Sequence, residues 1–406
     1  MTNYDDSPVR GGAAQGPQAE QAANDSDPNI SGDLAHDDAA TALTAEGATG
    51  RGEGVGQAKE TEGLSQGQIV RARFLRHRGA LFGLITLSSI TLMSVLTMGI
   101  GPIPGFWKYQ DHTRSGDMVN GGEPSLRLPF AGGGFAIGDH PFGQDSIGSD
   151  YFALVMSGVQ TSLFVMLVLG LTAMIIGVTI GSISGYYRGK IDMVLMRFTD
   201  LIITLPVLIL GAVLGRLLDV IPIKLDATAA QREALKANMP LLLAVVLGMI
   251  LWTGLARLTR SEFLSLRERE FVDSARVAGA SDWRIITKHM LPNAMGVIIV
   301  NVTLLMSVAV TLEAALSFLN FGIKPPNVSL GLLIADNQGA FATRPWLFWW
   351  PGLFIILIAL SVNFIGDGLR DAFDPRTRKI PSDRAMKKAA RELAAANPAA
   401  AIQEAK

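Results

Sequence analysis

The stretch REREFVDSARVAGASDWRIITKHMLPN, residues 267–293, decides how the chain is read, because it is too polar to lie in lipid and too patterned for a passive loop. Phe271, Ala275 and Ala278 fall at i, i+4 and i+7, the spacing of one helical face. Gly279 follows, and glycine is the residue best able to end a helix at positive φ. Ser281 then stands where a second helix would be capped, and Asp282 puts an acid in its first turn. Trp283, Ile286 and Met290 line one side of that helix up to Pro292. The expected local structure is helix, glycine turn, helix.

On either side of this stretch the chain is apolar. A membrane helix needs about 20 mostly apolar residues to cross about 30 Å of hydrocarbon. Six stretches qualify, at roughly 79–101, 154–182, 194–215, 239–257, 294–318 and 347–366. The composition agrees: 49% of the 406 residues are hydrophobic and 17% charged, against about 25% charged in a typical soluble domain. Cysteine is absent, which removes disulfides, thiolate metal sites and thiol nucleophiles. The five histidines are scattered, so no metal site is expected. Nor is there a phosphate loop: the one Gly-Lys pair, Gly189 and Lys190, lacks the upstream glycine and the following Ser or Thr. ATP hydrolysis by this chain alone is thereby excluded.

Charge sets the expected orientation. Arg71, Arg73, Arg76 and Arg78 precede the first span and place the N-terminus in the cytoplasm. Alternation then makes 183–193 and 258–293 cytoplasmic, both basic, together with the C-terminus. The outward loop 102–153 holds only Lys108, Arg114 and Arg127, and 216–238 is mixed in sign. Residues 1–68 carry 12 acids and 3 bases, net −9, so the other residues sum to +8. With Tyr4 its one aromatic, this segment reads as a disordered acidic tail. The organisation expected is therefore a tail over 1–68, a basic flank and first span over 69–103, and an outside loop over 104–151. A core of five spans over 152–372 and a basic cytoplasmic tail over 373–406 complete it.

Three features inside the spans concern packing. Gly177, Gly181 and Gly185 recur every fourth residue and would let a neighbouring helix come close. Pro206 removes a backbone donor and predicts a kink in the third span. Glu313 is the lone acid well inside a span, so it should face the bundle interior or a polar partner, and it is a candidate for the wall of a translocation pathway.

The central stretch resembles the cytoplasmic loop of ABC importer permeases, whose pattern is EAA, three residues, Gly, nine residues, I-x-L-P. Here Asp273, Ser274 and Ala275 precede Gly279, and His289, Met290, Leu291 and Pro292 close the pattern. Asp replaces Glu, Ser replaces the first Ala and His replaces Ile; the spacing is kept throughout. HPFGQDSIGSDYFALVMSGVQTSL (140–163), GYYRGKIDMVLMRFTDLIITLPVLIL (185–210), LEAALSFLNFGIKPP (312–326) and NFIGDGLRDAFDPR (363–376) are similar to the C-type permease of dipeptide, oligopeptide and nickel importers.

The resemblance implies an all-α integral membrane protein with the type I importer permease fold and no cofactor. It implies a cytoplasmic coupling loop over 267–293 in which Phe271, Asp273, Ser274, Ala275, Gly279, Ala280, Trp283, Leu291 and Pro292 meet an ATPase. The implied partners are a second, related permease, two ABC ATPase subunits, an extracytoplasmic substrate-binding protein and the lipid bilayer of a bacterial cytoplasmic membrane. No nucleic acid is among them. Peptides are the expected cargo, with nickel chelates and other small solutes as alternatives. A membrane scaffold or receptor would not require the helix, glycine, helix spacing, and a membrane enzyme would need more than Glu313. The topology predicts that, in intact cells, a cysteine at Ala131 reacts with an impermeant thiol reagent and one at Ala39 does not; labelling at Ala39 would overturn it.

Overall fold

The computed structural model describes residues 66–109, 118–126, 136–224 and 228–374. The expected tail over 1–68 lies outside them but for its last three residues, and the expected C-terminal tail but for its first two. Among the described residues, five helices are long and apolar enough to cross a membrane: α2 (Arg78–Met98), α3 (Tyr151–Tyr187), α7 (Met239–Leu266), α9 (Asp282–Phe318) and α11 (Trp346–Phe373). A sixth crossing exists if α4 (Gly189–Ile203) and α5 (Val207–Lys224) count as one. Shorter helices fill the gaps: α1 (Gln66–Phe74), α6 (Ala229–Ala237), α8 (Glu270–Val277) and α10 (Leu330–Asn337).

The third span is bent sharply at Pro206. Pro206 gives a break, with the two halves bent by 83°. A proline also disfavours helical φ/ψ at the preceding residue, which adds to the lost hydrogen bond at the site. Thr204 and Leu205 turn off the end of α4, and the Thr204 hydroxyl donates back to the Leu201 carbonyl at 2.7 Å.

The seam between α3 and α7 organises the bundle. A Cβ built on Gly177 would lie 2.9 Å from the Trp252 carbonyl oxygen, one on Gly181 2.5 Å from that of Ala256, and one on Gly185 2.6 Å from Phe263 Cβ. Each is closer than a methyl group tolerates, so the backbones meet only because these residues lack side chains. Around this seam α9 packs on α3, α11 packs on α9, and α2 packs on α11.

The ends of α3 are tied differently. At its start Asp150 caps the helix, Oδ2 accepting from Ala153 N at 3.0 Å and from Trp107 Nε1 at 2.8 Å. The other oxygen of Asp150 meets His140 Nδ1 at 2.9 Å, and both side chains are buried. Phe142, stacked on Trp350 at 3.9 Å, joins Phe152 and Phe354 in the apolar cluster beneath. At the other end of α3, Asp192 of α4 takes a two-pronged ion pair from Arg260 of α7, at 2.5 and 2.6 Å, and Ser184 Oγ donates to it at 2.5 Å.

Gly181→Leu should disrupt this seam, since the atom it strikes is backbone that cannot swing aside. Overpacking of this kind costs about 1–3 kcal/mol or more. The expected result in a thermal melt of the detergent-purified protein is earlier aggregation than wild type; an unchanged melt would show that the seam is not tight.

Candidate functional site

The loop after α7 is built from two helices and a specific turn. α8 ends at Val277, and Gly279 takes φ +79. Gly279 N–H donates to the Arg276 carbonyl and Ala280 N–H to the Ala275 carbonyl, both at 3.0 Å, the paired bonds of a Schellman motif. Ser281 has extended dihedrals at the cap position, yet its hydroxyl makes no capping bond; the expected side-chain cap is absent.

The second helix departs from expectation more widely. Pro292 does not close it. The helix widens into a π-turn over Ile285–Met290, passes through Pro292, and continues as the span to Phe318. A wider turn relieves the conflict that a proline ring creates with the turn before it. It also changes which residues share a face: Ile285, Ile286 and Met290 are buried together, whereas Trp283 points out and is 66% exposed. On α8 the inward residue is Val272. Ala275 is half-buried, and Phe271 and Ala278 are exposed, so the face of Phe271, Ala275 and Ala278 is turned outward.

The remaining loop positions fall in place around this core. Asp273 pairs with Arg276 at 3.0 Å on the exposed side. Ser274 Oγ donates to the Glu270 carbonyl at 2.9 Å. Ala280 and Leu291 pack against the buried cluster of Val272, Ile285, Ile286, Met290, Phe263 and Tyr186, and Pro292 is exposed. The outward surface thus offers Phe271, Val277 and Trp283, three large apolar side chains on a polar loop.

Motif spacing does not reveal what holds the loop to the bundle. Arg267 Nη1 donates to the Tyr186 carbonyl at 2.7 Å, and Tyr186 Oη donates to Asp282 Oδ1 at 2.7 Å. Arg188, at φ +55, donates to Glu268 at 2.7 Å and holds that carboxyl below its ordinary range. These partners are 80 to 96 positions apart in sequence. The run GYYRG marks a polar helix end but names no partner.

Glu313 lies far from the loop, with none of its surface exposed. Ser162 Oγ of α3 donates to Oε2 at 2.9 Å, and Ser317 Oγ of α9 donates to Oε1 at 2.8 Å. Ser317 Oγ in turn accepts from Ile323 N at 3.1 Å. The carboxylate therefore fastens α3 to α9 and to the turn beyond it, and lines no open wall in this conformation.

The chain is similar over residues 177–379 to the family described as binding-protein-dependent transport system inner membrane components. Residues 65–120 match a second family, the N-terminal transmembrane domain of oligopeptide transport permease C. The oligopeptide transport system permease protein OppC of Mycobacterium tuberculosis is 33% identical over 320 residues, covering 79% of this chain and 98% of the relative. The chain belongs to the binding-protein-dependent transport permeases. Two more proteins named OppC are related to this permease. That of Haemophilus influenzae is 32% identical, over 79% of this chain and 91% of the relative. That of Bacillus subtilis is 31% identical, over 78% and 92%. The methionine ABC transporter MetNI, solved in inward-facing form, covers 55% of the permease and 98% of its own chain, at 18% identity and a TM-score of 0.41. Membership of this inner-membrane family and five membrane-length helices among the described residues make the permease a multi-pass membrane protein. Its family match takes in the glycine seam, the loop and Glu313, while α1 and α2 belong to the N-terminal match.

Glu313→Gln can keep the Ser162 and Ser317 hydrogen bonds, whereas Glu313→Leu strands both hydroxyls. Each stranded polar group costs about 1–3 kcal/mol. Purified yield and melting temperature should therefore stay near wild type for Gln and fall for Leu; equal behaviour of the two would remove the latch.

Proposed function

We propose that this permease is one membrane subunit of an ATP-driven importer that carries peptides into the bacterial cytoplasm, with both termini and the 267–293 loop on the cytoplasmic side. Its expected partners are a second, related permease, two ATPase subunits and an extracytoplasmic substrate-binding protein. The reading of cargo leans on the relatives, which are named for oligopeptide transport.

The observation that carries the reading is the loop. Phe271, Val277 and Trp283 stand out from it at 39%, 90% and 66% exposure, on a scaffold whose inner side is fully packed. Isolated apolar side chains on a surface are ordinary. Three on a short helix, turn, helix that projects from the basic end of the bundle suit insertion into a groove of a partner. The second loop helix is also one piece with α9, so a push on Trp283 is delivered along a continuous helix of 37 residues that carries the π-turn and Pro292 near its start. For coupling, the loop must bind the open and closed ATPase pair with different affinity, since a ligand indifferent to two states shifts neither.

Gly279→Val tests this. At φ +79 a β-branched residue costs on the order of 1–3 kcal/mol locally, although no atom lies within 4 Å of the added Cβ. Damage is confined to the loop. Membrane insertion should persist while co-purification of the ATPases falls about tenfold and peptide uptake in a deletion strain is lost. Retention of both association and uptake would show that the loop is not the coupling element.

A further inference from the structure

We infer that the stroke of the loop also enters the membrane through α3, and that Tyr186 is the positioning residue that makes this connection. The inference rests on the importer reading above. The loop is joined by the chain itself to α7 before it and α9 after it, so its motion reaches those helices through covalent bonds. α3 has no such continuity with the loop. Its connection is made by side chains.

Three contacts make it. At the loop entry, Arg267 donates to the Tyr186 carbonyl, with its guanidinium 5.8 Å from the centre of the Tyr186 ring, and Glu268 receives Arg188. Past the glycine turn, Asp282 at the start of the second helix receives the Tyr186 hydroxyl at 2.7 Å. Tyr186 thus bridges the Schellman turn, touching the loop on both sides of Gly279. Tyr186 is 5% exposed and packs with Phe263, Val272, Ile285 and Ile286. A hydrogen bond to a carboxylate beside such a buried ring is stronger than a neutral one. The Arg188–Glu268 pair is exposed and contributes less.

The helix it holds is suited to transmit displacement. α3 runs 37 residues without an internal proline, a length of about 55 Å at ~1.5 Å per residue. Sharp helix kinks come from proline, π-turns or paired Gly and Ser, and α3 is supported where its glycines lie by the backbone of α7. At the far end Asp150 ties the first turn to Trp107 and His140. A shift of Asp282 therefore arrives at the opposite side of the bundle through Tyr186, not only through α9.

The test uses the complex reconstituted in vesicles with its ATPases and binding protein, and reads peptide transported per ATP hydrolysed. Tyr186→Phe removes one hydroxyl and keeps the ring. ATPase association and basal hydrolysis should match wild type while transport per ATP falls about fivefold or more. Asp282→Ala should lower the ratio by as much, and Asp282→Asn, whose amide oxygen still accepts the hydroxyl, should restore it. The double variant Tyr186→Phe with Asp282→Ala should fall no further than either alone. A wild-type ratio in Tyr186→Phe overturns the inference. If the wild-type complex neither holds ATPases nor moves peptide, the importer reading fails, and the clamp is then judged on the permease in lipid nanodiscs. There, faster amide exchange over 270–290 in Tyr186→Phe supports it, and unchanged exchange overturns it.

Discussion

The glycine seam between α3 and α7 is the constraint on which the other contacts depend. In lipid, apolar surface gains nothing by leaving one apolar neighbour for another, so helices associate through close van der Waals packing and polar contacts. Gly177, Gly181 and Gly185 let the two backbones come within touching distance along about two turns. That approach puts Arg260 of α7 within reach of Asp192, and Phe263 against Tyr186. Had the helices stood a side chain further apart, neither the ion pair nor the aromatic core of the loop could close. The loop geometry is in this sense a consequence of three missing side chains, the nearest adjacent to Tyr186 and the farthest about 14 Å from it along the helix axis.

The π-turn at Ile285–Met290 has a comparable reach. Pro292 cannot sit inside an ordinary helix without losing a hydrogen bond and clashing with the preceding turn. Widening the turn accommodates the ring and spares the helix a break. The rotation it introduces buries Ile285, Ile286 and Met290 and turns Trp283 outward. One proline therefore joins the loop to α9 as a single helix and also selects which aromatic side chain is left for a partner. Pro206 has the opposite outcome, an 83° break.

What could be read from the residues was local. Apolar length located all five spans, since hydrophobic thickness demands it, but only α2 and α3 closely at both ends; α7 and α11 run on beyond their apolar stretches and α9 begins well before its own. Gly279 at positive φ follows from its own chemistry, and a lone Glu313 inside a span demanded polar company. The identity of that company was not legible: Ser162 is 151 positions away. Tyr186 and Asp282, or Arg260 and Asp192, are likewise pairs that only the packed bundle brings together. On the second loop helix Ile286 and Met290 share the buried face as their spacing suggests, while Trp283 falls off it, because a period of 3.6 does not hold through the π-turn that follows. Ser281 stands at the cap position, yet its hydroxyl makes no capping bond.

The polar groups divide by position in a way that separates holding from moving. Inside the bundle Glu313 and its serines are sealed from solvent, and opening that cluster would expose hydroxyls and a carboxylate to hydrocarbon, so the α3–α9 junction there resists sliding. At the loop end the contacts are ion pairs and charge-assisted bonds near water: Arg188 with Glu268, Arg257 with Asp200, Arg276 with Asp273. Such groups exchange a protein partner for solvent at little cost. Tyr186 is intermediate, its ring buried and its hydroxyl on a carboxylate. A bundle made this way has a stiff middle and a re-arrangeable end, so displacement of the loop is better relieved by tilting α3 and α9 together about the Glu313 junction than by sliding one past the other.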